Sequence, residues 1–186
     1  MTEFLHQASF GLMIISAIIA TVVSVERIIF SSMNLKRAKL LTASIDTQRG
    51  SMGSLLGQDV VSEMVQKLLD DKAQNFAPAV QQDRADAAFI HAKDELGDRL
   101  WMLDTIVTAA PLMGLLGTIF GIVDTFLALS KSGMSDPAGV SAGIGTALYA
   151  TALGISIALI GLFAFNFLSD RNERIGEHLK MLILRL

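Results

Sequence analysis

The chain has 186 residues, of which 52% are hydrophobic, 18% charged and 6% aromatic, with a mean hydropathy of +0.51 and a formal net charge of −3. That balance is more apolar than an ordinary soluble domain and implies a membrane protein. The slight negative charge leaves no footprint for nucleic acid, and the absence of cysteine excludes a disulfide framework and any thiolate metal site.

The first uncharged run is Gln7 to Val25, 19 residues, or about 28 Å of helix against a hydrocarbon core of ~30 Å. No Lys or Arg precedes it and Glu3 lies before it, so it reads as a retained span rather than a secretory signal. It ends in "VERIIF", where Glu26 and Arg27 stand at the inner interface and the Arg is expected to snorkel toward water. Residues from Ser31 to Leu103 are polar and mixed in charge. The stretch "QRGSMGSLLGQD" separates two helical pieces. "SEMVQKLLDDK" places Met64 with Leu68, and Val65 with Leu69, at helical spacing, and Pro78 opens the next helix. From Pro78 to Ser130 the one strong breaker is Pro111, which predicts a single long helix running through the second span, kinked at the proline.

The second span, Thr105 to Val123, is again 19 uncharged residues. Within "PLMGLLGTIFGIVDTF", Gly114, Gly117 and Gly121 offer small surfaces, and Gly117 and Gly121 have the spacing that lets helix backbones approach. Thr118 and Thr125, seven residues apart, share nearly one face. They form a polar line, or each hydroxyl simply bonds a carbonyl one turn back. Asp124 is costly inside lipid, about 2.5 to 3.5 kcal/mol on the lenient insertion scale. It either reaches the outer interface or serves proton entry.

The third run, Pro137 to Ser169, holds 33 uncharged residues, about 50 Å as helix, so part of it lies outside the hydrocarbon or against protein. Ala147, Thr151, Gly154, Ala158 and Gly161 follow alternating four- and three-residue spacing. This is a stripe of small residues with one hydroxyl at its middle, facing protein or a narrow lumen. Leu148, Ile155, Leu159, Leu162 and Phe163 lie mostly on other faces, with Thr146 and Ser156 off the stripe. The tail places Ile175, Leu179, Leu182 and Leu186 on one apolar stripe. Three scattered histidines, no nucleophile elbow and no phosphate-binding loop leave no catalytic centre and call for no metal or other cofactor.

Lys and Arg are absent before Arg27, frequent from Arg27 to Arg99, represented between the second and third spans by Lys131 alone, and frequent again from Arg171. The N-terminus and the Lys131 loop therefore face outward and the middle region and C-terminus inward. The implied organisation is an N-terminus with first span (1–30), a cytoplasmic helical region (31–104), the second span (105–130), an outward loop (131–138), the third span (139–169) and a cytoplasmic C-terminal helix (170–186). The expected fold is all-α, with three transmembrane helices, the second and third extended into long cytoplasmic helices, in an oligomeric bundle.

"PLMGLLGTIFGIVDTF" followed by "GVSAGIGTALYATALGISIALIG" resembles the second and third spans of the ExbB, TolQ and MotA family of proton-channel subunits, closely over Leu103 to Leu168. Three spans rather than four favour the ExbB and TolQ branch, and within it ExbB. The resemblance implies a bacterial inner-membrane homopentamer whose second and third spans line a lumen around a single-span partner of the ExbD type, bearing an essential aspartate. Proton flow through it energises a TonB-like protein and, through that, outer-membrane transport. On this reading Thr118 in "LLGTIFG" and Thr151 in "LYATALG" match the family's lumen threonines. Thr146 stands where many members carry glutamate, and Asp124 where they often carry an uncharged residue, so Asp124 is expected to replace that carboxylate in part. A TolQ-like subunit of an envelope-constriction motor, another motor subunit, and a non-conducting membrane scaffold whose glycines and threonines only pack helices are the alternatives.

Overall fold

The computed structural model describes residues 2–47, 56–74, 76–132 and 137–185. The glycine- and serine-rich break at 48–55, the turn at Asp136 and Leu186 of the C-terminal stripe lie outside the described residues, as do the side chains of His6 and Lys131. Five helices form in chain order: α1 Thr2–Thr47, α2 Val60–Ala73, α3 Pro78–Gly97, α4 Leu100–Ser132 and α5 Pro137–Arg185. There is no strand among the described residues. Three helices are long and apolar enough to cross a membrane, over Ala8–Ser44, Leu100–Ser130 and Pro137–Arg185. The first and third spans are thus parts of unbroken helices of 46 and 49 residues. A heptad-like apolar stripe takes over where the uncharged run ends, so no breaker interrupts either one.

The chain forms two compact units, Met1–Ser24 with Trp101–Phe165, and Val25–Leu100 with Asn166–Leu186. The first unit buries small residues beside a few large ones, Met13 and Leu103 among them, and leaves most of its large side chains outside. Ala20, Ala110, Ala147 and Ala150 are buried, while Leu12, Ile18, Val22, Leu112, Phe126, Leu148, Ile160 and Phe163 are exposed. In water this would be an aggregating surface. In lipid, where apolar side chains gain nothing by hiding from an equally apolar solvent, small residues inside are what let helices pack.

The second unit follows the opposite rule. Its core joins Ala38 and Leu41 of α1, Val61, Met64 and Val65 of α2, Ala92 and Leu96 of α3, and Ile175, Leu179 and Leu182 of α5. The apolar stripe read in the tail is therefore a core stripe as far as Leu182. Asp59 caps α2, accepting from the Ser62 N–H at 3.0 Å, while Arg37 on α1 donates to the same carboxylate at 3.0 Å.

The expected single helix from Pro78 to Ser130 is corrected by the structure: α3 stops at Gly97 and α4 restarts at Leu100. Gly97 is a weak helix former. Asp98 turns to extended backbone, and Arg99 has φ 62°, the left-handed region, which costs a non-glycine residue roughly 1–2 kcal/mol. α4 runs through Pro111, because a proline forfeits one backbone bond that packed neighbours in a membrane can compensate.

Truncating Leu179 to Ala should lower the stability of the second unit by about 2–5 kcal/mol. Hydrogen exchange on the full chain checks this: protection should fall in α2 and α3, whose buried faces meet the same cluster, and not in 105–123.

Candidate functional site

In the first unit α4 and α5 cross at glycines. A Cβ added to Gly154 would lie 2.5 Å from the Ala110 carbonyl oxygen and 3.1 Å from the Gly114 Cα, and one added to Gly114 would lie 2.9 Å from the Ala150 oxygen and 3.1 Å from the Thr151 Cα. No side chain fits between the two backbones there. A Cβ added to Gly117 would meet side chains instead, the Ala150 Cβ at 2.9 Å and the Ser9 Oγ of α1 at 3.2 Å, and Gly161 packs on Val107. Gly121 is buried one turn further along α4. The small stripe read from the sequence on α5 is the face turned to α4: Ala147, Gly154, Ala158 and Gly161 are buried and Thr151 half-buried.

The crossing brings Thr118 and Thr151 together. Their hydroxyls are hydrogen-bonded to each other. Thr118 Oγ1 also lies 3.1 Å from the carbonyl oxygens of Gly114 and Ala147, and Thr151 Oγ1 lies 3.2 Å from that of Gly114. Two hydroxyls carry two protons between them, fewer than the contacts available. Several proton orders are therefore possible without moving a heavy atom. Both residues are half-buried within the single chain.

The other sequence candidates divide. Thr125, on the same face of α4, donates to the Gly121 carbonyl at 2.8 Å and packs against Gly143 of α5, a glycine the sequence analysis passed over. Asp124 is half-buried, and among the described residues its carboxylate has no hydrogen-bond or ion-pair partner. Thr146 is exposed and donates to the Ala142 carbonyl at 3.0 Å; it does not join the hydroxyl pair. Among the described residues no cluster of His, Asp and Glu could hold a metal.

In the second unit Arg27 corrects an expectation. It does not snorkel toward water; it is 6% exposed, and its Nη2 donates to the carbonyls of Glu95 at 3.0 Å and Leu96 at 2.5 Å. A continuing α3 would have spent those carbonyls on the N–H groups of Arg99 and Leu100. Arg27 supplies the missing donors, with the positive charge that a helix C-terminus favours. Asn172 of α5 donates to the Leu96 carbonyl as well, at 2.7 Å. Glu26 is half-exposed and its carboxylate pairs with Arg99 Nη1 at 2.5 and 2.7 Å. Arg171 donates to Ser32 and lies over the Phe167 ring. The carbonyls that Arg27 meets lie 68 and 69 residues from it in sequence, so no local pattern could have found them.

The sequence matches the MotA/TolQ/ExbB proton channel family over residues 56–181. It is similar to the biopolymer transport protein ExbB of Aquifex aeolicus, 32% identical over 124 residues, covering 64% of this chain and 77% of that one. It is also similar to ExbB of Helicobacter pylori, 35% identical over 88 residues (47% of this chain, 61% of that one), and to the Tol-Pal system protein TolQ of Haemophilus influenzae, 38% identical over 84 residues (45% and 37%). The latter two are thus matched over less than two thirds of their length. The chain belongs to the MotA/TolQ/ExbB proton channel family.

Alanine at Gly154 should destabilise the crossing by about 1–3 kcal/mol despite alanine's better helix propensity. Gly145, where an added Cβ meets nothing within 4 Å, provides the contrast. Gly145→Ala should keep or slightly raise the apparent Tm in lipid nanodiscs, while Gly154→Ala lowers it.

Proposed function

We propose that this member of the MotA/TolQ/ExbB proton channel family is the channel subunit of a TonB-type energy-transducing motor in a bacterial inner membrane. It works as a homo-oligomer, a pentamer by family resemblance, with its N-terminus periplasmic and its C-terminus cytoplasmic. α4 and α5 of neighbouring subunits line a lumen occupied by a single-span partner of the ExbD type, and a TonB-like protein carries the output to the outer membrane. The observation that carries this reading is the Thr118–Thr151 hydroxyl pair at a glycine crossing, in helices whose other faces present large apolar residues.

The physical logic is one of low cost. Moving one proton charge through 100 mV releases about 2.3 kcal/mol, enough to bias a helix contact but not to unfold a domain. A lumen wall must then stabilise both forms of the partner's carboxyl group without trapping either. Hydroxyls that donate to a carboxylate and accept from a carboxylic acid meet that need. Asp124 supplies the outer entrance: it is a half-buried carboxylate one to two turns from the outer end of the second span.

A TolQ-like role in envelope constriction is the second reading, supported by the similarity to the Haemophilus influenzae protein. Co-purification with a TonB-like rather than a TolA-like protein separates the two. A non-conducting scaffold would leave a pH gradient intact across liposomes that contain the subunit and its partner.

Thr118→Val and Thr151→Val should each leave the oligomer assembled while proton flux falls by on the order of 100-fold, the low end for a group that handles a moving proton. Retention of flux in both variants would remove the lumen assignment. Asp124→Asn should reduce proton-dependent uptake with the complex intact; wild-type uptake would reassign Asp124 to a simple interfacial position.

A further inference from the structure

The second unit leaves two ordered faces uncovered. On α1, Met33, Lys36, Leu40 and Ala43 recur at three- and four-residue spacing, all exposed, on the face opposite the buried Asn34, Ala38 and Leu41. On α3 the same spacing joins Val80, Asp83, Ala87, Ile90 and Asp94, again all exposed and opposite the buried Ala85, Ala92 and Leu96. Met33 is 63% exposed, Leu40 55% and Ile90 66%. Met33 already lies about 12 Å of helix past Val25, where the first uncharged run ends, and Ile90 is well short of Thr105, where the second begins. Hydrocarbon therefore does not cover these side chains, and apolar residues ordered in this way mark an interaction surface.

The two faces are opposite in sign. Over residues 33–44 every exposed charge is basic, Lys36 and Lys39. The α3 face carries Asp83 and Asp94 with Asp86 beside it; the cations Arg84 and Lys93 lie at its edges, and Arg84 is held by Asp71 at 2.6 Å. Pairing like faces would set lysine against lysine or aspartate against aspartate, whereas α1 against α3 sets them opposite. Depth matches as well, with α5 as the common ruler. It meets α1 where Arg171 bonds Ser32 and His178 bonds Thr42, and α3 where Asn172 bonds Leu96 and Lys180 lies over Phe89. α1 therefore runs with α5, and α3 runs against it. Counted from these contacts, Lys36 is level with Asp94, Leu40 with Ile90 and Ala43 with Ala87, each to within about one turn.

We propose that α1 of one copy and α3 of the next pack antiparallel along these faces, Leu40 on Ile90 and Lys36 against Asp94. The pairing rests on the homo-oligomer proposed above and gives it a contact surface outside the membrane. A ring about the membrane normal keeps every copy at one depth, so residues that are level within a chain are level between chains. Two different faces meeting head to tail are what a closed ring requires.

The chain has no cysteine of its own, so introduced pairs report cleanly. In native membranes holding the full chain, Leu40→Cys and Ile90→Cys on one chain should give a ladder of covalent multimers on mild oxidation. Within a chain the two thiols face away from a shared core and do not meet. Met33→Cys with Val80→Cys, exposed positions about 25 Å apart in depth, should give no ladder. Lys36→Glu should cut the Leu40–Ile90 yield about tenfold, and Asp94→Lys in the same chain should restore it. Native mass spectrometry of the uncross-linked complex separates the two readings. Several copies with no ladder, or equal ladders from both pairs, overturn this interface and leave the homo-oligomer standing; a single copy overturns both.

Discussion

The approach of α4 to α5 at Gly114 and Gly154 is the constraint on which the rest of the first unit depends. With a carbonyl oxygen standing 2.5 Å from where a Cβ would be, the two backbones are too near to admit even a methyl group. In lipid that nearness is itself the source of cohesion, since burying apolar area gains little there and contact between small surfaces gains much. It also fixes the chemistry. Side chains as short as threonine can meet across the crossing only because the backbones are already close, and the same closeness sets the Gly114 carbonyl within reach of both hydroxyls.

The second unit obeys water-soluble rules within the same helices. α5 changes its packing logic along its length, with alanine and glycine inward at one end and Ile175, Leu179 and Leu182 inward at the other. The ending of α3 is held by donors borrowed from two helices, Arg27 from α1 and Asn172 from α5. A left-handed Arg99 is tolerated because these caps satisfy the carbonyls that the interrupted ladder releases. Removing Arg27 would take a charged donor from two carbonyls that each keep one other donor, the Asp98 N–H at Glu95 and Asn172 at Leu96, whereas the half-exposed Glu26–Arg99 pair is screened by solvent.

Much of this was legible in the sequence wherever a period carried it. The three spans followed from uncharged length, the inward stripe of α5 from four- and three-residue spacing, and the core stripe at Ile175, Leu179 and Leu182 from the same rule. The pairing of Thr118 with Thr151 was not available from spacing, since the residues are on different helices; only the family resemblance of both motifs set them side by side. The end of α3 was misjudged because helix propensity sees Gly97 as one weak residue, whereas the interruption is stabilised by residues about 70 positions away in either direction. Gly143 was overlooked for a similar reason: its role is to leave room for Thr125, and nothing local announces a neighbour's side chain.

The hydroxyl pair also differs in kind from a carboxylate in the same membrane. Turning its two O–H groups between each other and the Gly114 and Ala147 carbonyls transfers no proton and alters no net charge, so no ion is created in a medium that penalises ions heavily. What changes is the direction of a local dipole. The crossing is thus a small polarisable element built into a stiff frame: it can turn its field toward a passing charge and turn back, while the glycines on either side keep the helices that carry it from moving apart.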